Sequence, residues 1–469
     1  MVLATAANKS GAGSSWVTIN VLPDDTLLEI FNFYLVEEPR TEKWHTLVHV
    51  CRRWRSVVFA SPRRLDLRIL CKASTEVKAL HIWPILPINV WASPATWEGV
   101  DNIVSALGHS DRIYQVLLDN LPNSLSERIA TVMQVPFPAL TELRLCASTS
   151  DKTVSVFSEG FLGGSAPRLQ SCKLSGIPIP RIWKILSSAN HLIYLRLEDI
   201  PHSGYISPEA MVAALSAAPN LKELELGFQS PRSRPDRRSL LPPPLTRITL
   251  PALTHFRFCG ISEYIEYLLS LIDVPLLRHA NISFFNQLVF DTPHLHAFFA
   301  RTKMFEAHKR ASMVFDKHGV HLKLDPGSSW QFSCALRISC TKLDWQLSSM
   351  AQICSSSLPP FSTLGRLDIR EDFFPPHWQD DDVENTQWLD LLRPFTALTN
   401  LHLVKDLARL VAPALQELAT GGLGNVTEVL PMLQNLVIDR IHPSSPIQEA
   451  VLKFTSARQL SGHPVAVHG

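Results

Sequence analysis

A leucine phrase that recurs along most of the chain limits what the chain can fold into. The pattern L-x-x-L-x-L, usually two residues after a proline, returns every 23 to 35 residues, with one interruption at about 291–360. In each copy the last two apolar residues alternate with a polar residue, which is typical of a short β-strand with one buried face. The clear copies begin at Leu140, Leu169, Leu192, Leu221, Leu253, Leu364, Leu398 and Leu433, and looser copies begin at Ile113 and Leu277.

Amphipathic helices are predicted between these strands. Ile182, Ile185 and Leu186 share one helix face, Ser207-Pro208 suits a helix start, and Ser262 begins a third apolar stripe. A unit of one strand and one helix cannot bury its apolar face alone, so neighbouring units must stack. The pattern therefore predicts an α/β repeat solenoid of short parallel strands and helices.

This array resembles a leucine-rich repeat, in an irregular form. The family usually places Asn or Cys eight residues after the first Leu, where the side chain satisfies backbone groups at the turn. This chain has other residues at that position. We therefore expect a less regular curvature, while the stacking of strands and helices remains predicted. The residues found at that position are Ser148, Ile177, Ile200, Gln229 and Ile261.

The chain divides into five segments by composition and pattern. Residues 291–360 contain two plausible strands, Val320–Leu324 and Ala335–Cys340, and whether the solenoid continues through them is left open. The predicted segments are a disordered N-terminus at 1–16, a helical head at 17–67, a linker with a first irregular repeat at 68–110, the solenoid at 111–457 and a tail at 458–469.

Three short helices are predicted in the head. Pro23 suits the start of the first, on which Leu27, Ile30, Phe31 and Tyr34 form one apolar stripe. The second places Trp44, Leu47 and Val48 on one face, and the third extends over about 51–60. Three short helices bury too little surface to be stable alone, so the head is expected to pack against the solenoid or a partner.

Charge and cysteine usage restrict partners and compartment. The 44 Lys and Arg against 43 Asp and Glu give a net charge of +1, which argues against a nucleic-acid or membrane-surface binder. No signal peptide and no run of about 18 apolar residues is recognisable. The eight cysteines contain no C-x-x-C and are expected to be buried thiols in a reducing compartment, which predicts a cytoplasmic or nuclear protein.

The sequence shows no recognisable constellation of catalytic residues. G-x-S-x-G, H-E-x-x-H and glycine-rich phosphate loops are all missing. His45 and His49 have the i, i+4 spacing of metal ligands, but no third ligand is identifiable. We therefore predict a protein without catalytic residues, cofactor or metal, and an enzyme with an unrecognised site ranks last among the hypotheses.

The head resembles an F-box, the three-helix adaptor module of SCF-type ubiquitin ligases. The resemblance covers about Val17–Leu67 and rests on LPDDTLLEIF followed by WHTLVHVCRRWRSVVFASP. Fungal F-box proteins with degenerate leucine repeats are also similar to the closing half. Thr26, where leucine is common, and a longer connection at 36–43 depart from the family pattern. The resemblance implies contact with a Skp-type adaptor, and through it a cullin, by Leu22, Pro23, Leu27, Leu28, Ile30, Phe31, Leu47, Val50, Cys51 and Trp54.

The leading hypothesis is a substrate-recognition subunit of a ubiquitin ligase, whose head holds the ligase while the solenoid binds a target protein. The alternative is a non-ligase scaffold whose helical head caps the solenoid. A target-binding face is predicted at the outward strand positions, and because four of its six residues are basic we expect it to prefer an acidic or phosphorylated segment. These six residues are Arg144, Lys173, Arg196, Glu225, Arg257 and Asn281.

Overall fold

The computed structural model shows one long β-sheet with helices packed on one side of it. The described residues are 19–35, 40–72, 74, 84–93, 99–148, 156–233, 247–287, 289–302, 308–325, 333–356, 358, 361, 363–372, 383–404, 407–420, 428–439 and 446–469. The predicted disorder of 1–16 lies outside them.

The strands are β1 (Ile69–Cys71), β2 (Ile88–Ala92), β3 (Ile113–Leu121), β4 (Glu142–Ala147), β5 (Ser171–Ser175), β6 (Tyr194–Ile200), β7 (Glu223–Phe228), β8 (Ile248–Thr249), β9 (His255–Gly260), β10 (Ile272–Asp273), β11 (His279–Phe285), β12 (Arg310–Asp316), β13 (Gly319–Asp325), β14 (Ser333–Ser339), β15 (Arg366–Glu371), β16 (Asn400–Leu403), β17 (Asn435–Ile438) and β18 (Ala466–His468). The described part of the main sheet has the order β1-β2-β3-β4-β5-β6-β7-β9-β11-β14-β13-β12-β15-β16-β17-β18, and β8 pairs separately with β10.

The α-helices are α1 (Asp24–Leu35), α2 (Arg40–Val50), α3 (Arg52–Ala60), α4 (Val100–Leu107), α5 (Asn123–Val132), α6 (Ile182–Ser188), α7 (Pro208–Leu215), α8 (Ser262–Leu271), α9 (Pro293–Arg301), α10 (Leu343–Ser356), α11 (Asn385–Leu392), α12 (Leu407–Thr420) and α13 (Pro446–Leu460). Short 3-10 turns lie at Ile19–Val21, Phe161–Gly164 and His202–Gly204.

The leucine phrase forms the core, as predicted. In one copy Leu140 is buried in the turn before β4, and Leu143 and Leu145 are buried on the helix-facing side of that strand. The parallel register aligns Leu143 with Cys172 on β5, so equivalent positions stack from unit to unit. Between strands the predicted helices are present: the Ser207 hydroxyl accepts a hydrogen bond from the Ala210 amide at the start of α7. The α/β solenoid prediction is confirmed.

The segment at 291–360 stays within the sheet but changes its strand order. Both predicted strands are present, as β13 and β14, and β12 precedes them. After β11 the chain leaves two positions of the sheet open and forms β12. The antiparallel β13 then lies beside β12, and β14 takes the position beside β11. β12 then pairs in parallel with β15, so the sheet continues without a break.

Both ends of the solenoid extend further than the sequence predicted. Residues 68–110, predicted as a linker with a first irregular repeat, contribute two strands, β1 and β2, to the sheet and also form α4. Residues 458–469, expected to be a tail, contain the end of α13 and β18, which pairs with β17. Arg458 is fully buried and donates through Nη2 to the carbonyls of Pro431 and Leu433, each at 3.2 Å.

The helical head packs on the first strand of the sheet. The Trp44 indole is fully buried, and its Nε1 donates to the Arg68 carbonyl at 2.8 Å, just before β1. The Arg68 guanidinium in turn lies 3.8 Å from the centre of the Tyr114 ring on β3. The head and the solenoid therefore share a core, as a domain this small requires.

Candidate functional site

Helix α1 has two apolar stripes, and only one of them is buried. Helix α1 begins at Asp24 after Pro23, whose carbonyl accepts from the Leu27 amide at 3.1 Å. Its buried stripe is Leu27, Leu28, Phe31 and Leu35, and its second stripe is Ile30, Phe33 and Tyr34. The predicted single stripe is thus divided, with Leu27 and Phe31 inside and Ile30 and Tyr34 outside.

The second stripe is part of a larger set of exposed apolar side chains in the head. Phe33 is 82% exposed, which is unusual for a phenylalanine in a monomeric protein. Val21 lies in the turn before α1, and Val50 ends α2. We call the exposed apolar residues of the head the head patch: Ile19, Val21, Ile30, Phe33, Tyr34 and Val50.

The ten residues predicted to contact an adaptor fall into three groups. Those buried by the chain itself shape the head and do not lie on its surface: Leu27, Leu28, Phe31 and Leu47. Those half-buried are Leu22, Cys51 and Trp54, and those exposed are Pro23, Ile30 and Val50. The sequence prediction did not include Phe33, although this residue lies three positions after Ile30 and therefore on the same helix face.

Ion pairs join the helices of the head. Arg53 of α3 donates to Asp24 at 2.7 Å and to the Leu22 carbonyl at 2.5 Å. Arg64 pairs with Asp25 at 2.9 Å and with Glu29 at 2.6 Å. These exposed pairs add little stability individually, but they join α1 to the start of α3 through Arg53 and to the segment after α3 through Arg64.

The predicted target-binding residues form one continuous row across the sheet, which we call the face row. Arg144 pairs in register with Lys173, and each next member pairs with the one before it along β4, β5, β6, β7, β9 and β11. Because partners in register point to the same side of a sheet, all six side chains lie on the side opposite the helices. The sequence prediction of their orientation is confirmed.

The face row is not a free basic strip, because carboxylates of the same face pair with its cations. Lys173 Nζ lies 2.9 Å from Glu198, and Arg196 Nη2 lies 2.8 Å from Glu223. Arg257 Nη1 lies 3.0 Å from Glu225, and Arg144 lies 3.8 Å from Asp119. The face row therefore has no excess of positive charge. That excess was the reason to expect a preference for an acidic or phosphorylated segment.

A shallow hollow of about 320 Å³ lies over β6, β7, β9, β11 and β14 on this face. His255 and His279, which are partners in register, stack with their ring centres 4.3 Å apart. Burial, together with the neighbouring His255 and Arg278, lowers the pKa of His279. Burial raises the pKa of Glu225, although Arg257 and Arg196 oppose that change. The hollow is therefore lined by balanced charge and two imidazoles.

Burial keeps four of the described thiols in the protonated, unreactive form. Burial raises the pKa of the Cys71 and Cys146 thiols to about 11 and that of Cys172 and Cys334 to about 12, so these thiols are protonated at neutral pH. Within the described ranges, no group of three or more His, Cys, Asp or Glu side chains is placed to hold a metal ion. Nor does any described helix combine the length and apolar character needed to cross a bilayer.

Comparison with known proteins gives structural similarity only. No family model matches the chain, and no curated protein matches it. The leucine-rich repeat-containing protein LegL7 from Legionella pneumophila is 14% identical over 73% of this chain and 97% of its own, with a TM-score of 0.25. The TLR13–ssRNA13 complex is 13% identical over 79% of this chain and 45% of the other, with a TM-score of 0.28.

Proposed function

We propose that the chain is the substrate-recognition subunit of an SCF-type ubiquitin ligase. In this proposal the head patch docks to a Skp-type adaptor, which bridges to a cullin, and the solvent face of the sheet binds the target protein. The observation that supports it most directly is the exposed second stripe of α1. This stripe lies in a head whose own core is already filled.

The head patch has the composition of a docking surface. Fully burying an apolar side chain of this size contributes about 1.5–3 kcal/mol, and Phe33 and Val50 expose most of their surface. Aromatic side chains are enriched among the residues that dominate binding energy at interfaces, and the patch contains Phe33 and Tyr34. The patch therefore offers the large, rigid anchors that a partner surface needs.

The buried residues predicted as contacts have a supporting role in this proposal. Leu27 and Phe31 fix the rotation of α1 about its axis, and the Phe31 ring lies 4.7 Å from Trp54 of α3. That rotation determines that Ile30 and Phe33 face outward. Substitution of a buried residue would disturb binding through the fold of the head, whereas substitution of an exposed residue would act on the contact itself.

The mechanism is proximity and requires no catalytic residue in this chain. A subunit that holds the ligase at one end and the target at the other raises the effective concentration of the ubiquitin donor near target lysines. The Trp44–Arg68 hydrogen bond and the Arg68–Tyr114 contact join the head to β1 and β3. A rigid connection of this kind holds the target at a defined position relative to the adaptor. Assembly with a cullin would place the protein in the cytoplasm or nucleus.

A binding experiment with a recombinant Skp-type adaptor tests the proposal. Ile30→Asp and Phe33→Asp put a charge into the head patch at sites that are exposed, so the fold of the head should be retained. A third variant, Val50→Asp, changes a patch residue that is 56% exposed. Its matched control is Val156→Asp, at a site 52% exposed in the solenoid.

We expect the adaptor to bind wild type and Val156→Asp equally, and each of the three patch variants at least about tenfold more weakly. Circular dichroism and melting temperature confirm that the variants are folded. Failure of the wild-type chain to bind the adaptor would exclude the ligase assignment.

One observation favours the scaffold as a second candidate. The head shares its core with β1, and solenoids need a cap over their terminal unit, so capping alone accounts for the buried stripe of α1. Capping does not account for the head patch. A wild-type chain that bound no adaptor, together with a head whose removal unfolds the solenoid, would establish the scaffold.

A further inference from the structure

A second hollow, of about 590 Å³, lies at the end of β14 and is lined mainly by hydrogen-bond donors and cations. Three elements meet there: the end of β11, the turn between β12 and β13, and the segment that connects β14 to α10. The Cys340 amide donates to the His318 carbonyl at 2.9 Å and so fixes that segment to the turn. We call this site the donor hollow, lined by Asn286, His318, Arg337, Ser339, Cys340, Thr341, Lys342 and Trp345.

The polar side chains of the donor hollow have few partners within the described protein. Arg337 Nε is buried without a hydrogen-bond partner among those residues, and Arg337 Nη2 comes no closer than 3.9 Å to the Asp316 carboxylate. The structure gives no protein hydrogen bond to the side chains of Ser339, Thr341 or Lys342 among the described residues. Thr341 and Lys342 are exposed and can bond to water, whereas a buried donor without a partner, as at Arg337 Nε, indicates a missing acceptor.

Two carboxylates, Asp316 and Asp344, lie near the donor hollow. Asp316 is already engaged, because it accepts from the His318 amide at 2.5 Å and from His321 Nε2 at 2.9 Å. Asp344 lies in the first turn of α10, at the positive end of that helix dipole, and is close enough to Cys340 to raise the pKa of that thiol. The two cations of the hollow thus lie near two carboxylates, but Arg337 approaches Asp316 only at 3.9 Å, and Lys342 forms no ion pair among the described residues.

We propose that the donor hollow binds a phosphate monoester attached to a larger group. Arg337 and Lys342 would hold the phosphate oxygens, since guanidinium and ammonium groups form charge-assisted hydrogen bonds with phosphate. Ser339 and Thr341 supply hydroxyl donors beside them. A volume of about 590 Å³ exceeds what a single phosphate fills, and Trp345, 37% exposed, provides an apolar wall for the rest of the ligand.

The test measures binding of phenyl phosphate to the full chain by isothermal titration calorimetry at neutral pH and low salt. We expect a dissociation constant below about 1 mM for phenyl phosphate and weaker binding of inorganic phosphate, which lacks the ring. Arg337→Gln and Lys342→Gln should each weaken binding by about tenfold, the effect of one hydrogen bond to a charged group. Trp345→Ala should remove the advantage of phenyl phosphate over inorganic phosphate.

Arg370→Gln is the matched control, because Arg370 is an exposed arginine of the same register row, three strands away on β15. It should bind phenyl phosphate as wild type does. Lys342 is exposed, so we expect its substitution to leave the fold unchanged. No saturable binding below about 1 mM, or equal binding by wild type, Arg337→Gln and Lys342→Gln, would overturn the proposal.

A second arm of the experiment identifies the source of the phosphate. A phosphoserine peptide that binds more tightly than phenyl phosphate, while its unphosphorylated form does not bind, indicates a phosphate carried by a protein. Equal affinities indicate a small phosphorylated molecule, and both results support the site. The inference does not depend on the adaptor, because Ile30→Asp and Phe33→Asp should leave phenyl phosphate binding unchanged.

Discussion

A buried carboxylate joins two helices behind the sheet and should make their contact sensitive to pH. Glu266 of α8 is 8% exposed and accepts hydrogen bonds from the His294 and Leu295 amides at 2.8 and 2.7 Å. These amides belong to the first turn of α9. The N-cap residue Thr292 makes no side-chain cap hydrogen bond to this turn, and Glu266 supplies the acceptors instead.

Glu266 should make the protein less stable as pH rises. Burial is the main reason that the pKa of Glu266 is raised from the ordinary 4.5 to about 7. The hydrogen bonds from the two amides lower this pKa, and the charge of Asp291 raises it. A raised pKa in the folded state means that the stabilisation is fully present below pH 4.5 and is lost as pH rises through about 7. Each pH unit in that interval lowers the free energy of unfolding by about 1.4 kcal/mol, or about 3 kcal/mol in total.

Glu266→Gln separates this titration from the rest of the protein. The variant loses one acceptor and is expected to be less stable than wild type at pH 5, by about 1–2 kcal/mol. The difference should shrink or reverse by pH 8, because the variant has no carboxylate to ionise there. Hydrogen exchange of the His294 and Leu295 amides, followed from pH 5 to 8 after correction for intrinsic rates, reports the local opening. A wild-type-to-variant difference that is constant across this range would refute the reasoning.

Three further substitutions test contacts that hold parts of the fold together. Trp44→Phe removes the hydrogen bond to the Arg68 carbonyl and should lower the free energy of unfolding by about 1–2 kcal/mol, measured by urea denaturation; an unchanged midpoint would count against that joint. Arg458→Ala leaves a cavity and two carbonyls without their donor, and should cost about 3 kcal/mol and expose α13 to limited proteolysis. Gly319→Ala would place a Cβ against the Ile338 carbonyl oxygen and should cost about 3 kcal/mol in melting experiments. Gly365→Ala, whose Cβ would meet only the Thr399 hydroxyl at 3.4 Å, is its control and should melt as wild type does.

The repeats could be predicted from sequence because burial imposes a period of two on each strand. Leu143 and Leu145 on β4 show that period plainly. β12 shows it too, with Ala311, Met313 and Phe315 buried, but without leucine the pattern was not recognised. The changed strand order could not be predicted, since alternation fixes which side of a strand is buried and gives no information about its neighbour.

The interaction surfaces were predictable only in part, for a similar reason. The outward direction of Arg196 followed from alternation, but its partner Glu223 lies on the next strand, and its distance depends on register. On α1 a spacing of three and four residues matched both Phe31 and Tyr34, and only packing against α3 decided that Phe31 lies inside. The donor hollow combines residues separated by as many as 59 positions, from Asn286 to Trp345, and no local pattern signals it.

The antiparallel β13 divides the array into two blocks that can change length independently. Between β3 and β11, and again between β15 and β17, every strand of the main sheet has a parallel neighbour on each side, so gain or loss of one unit leaves compatible edges. At β13 a duplicated unit would meet a neighbour running the wrong way and could not form the same ladder. Related chains should therefore vary in repeat number on either side of residues 310–339 while retaining that reversed strand, and the distance from the head to the donor hollow would lengthen or shorten with the first block alone.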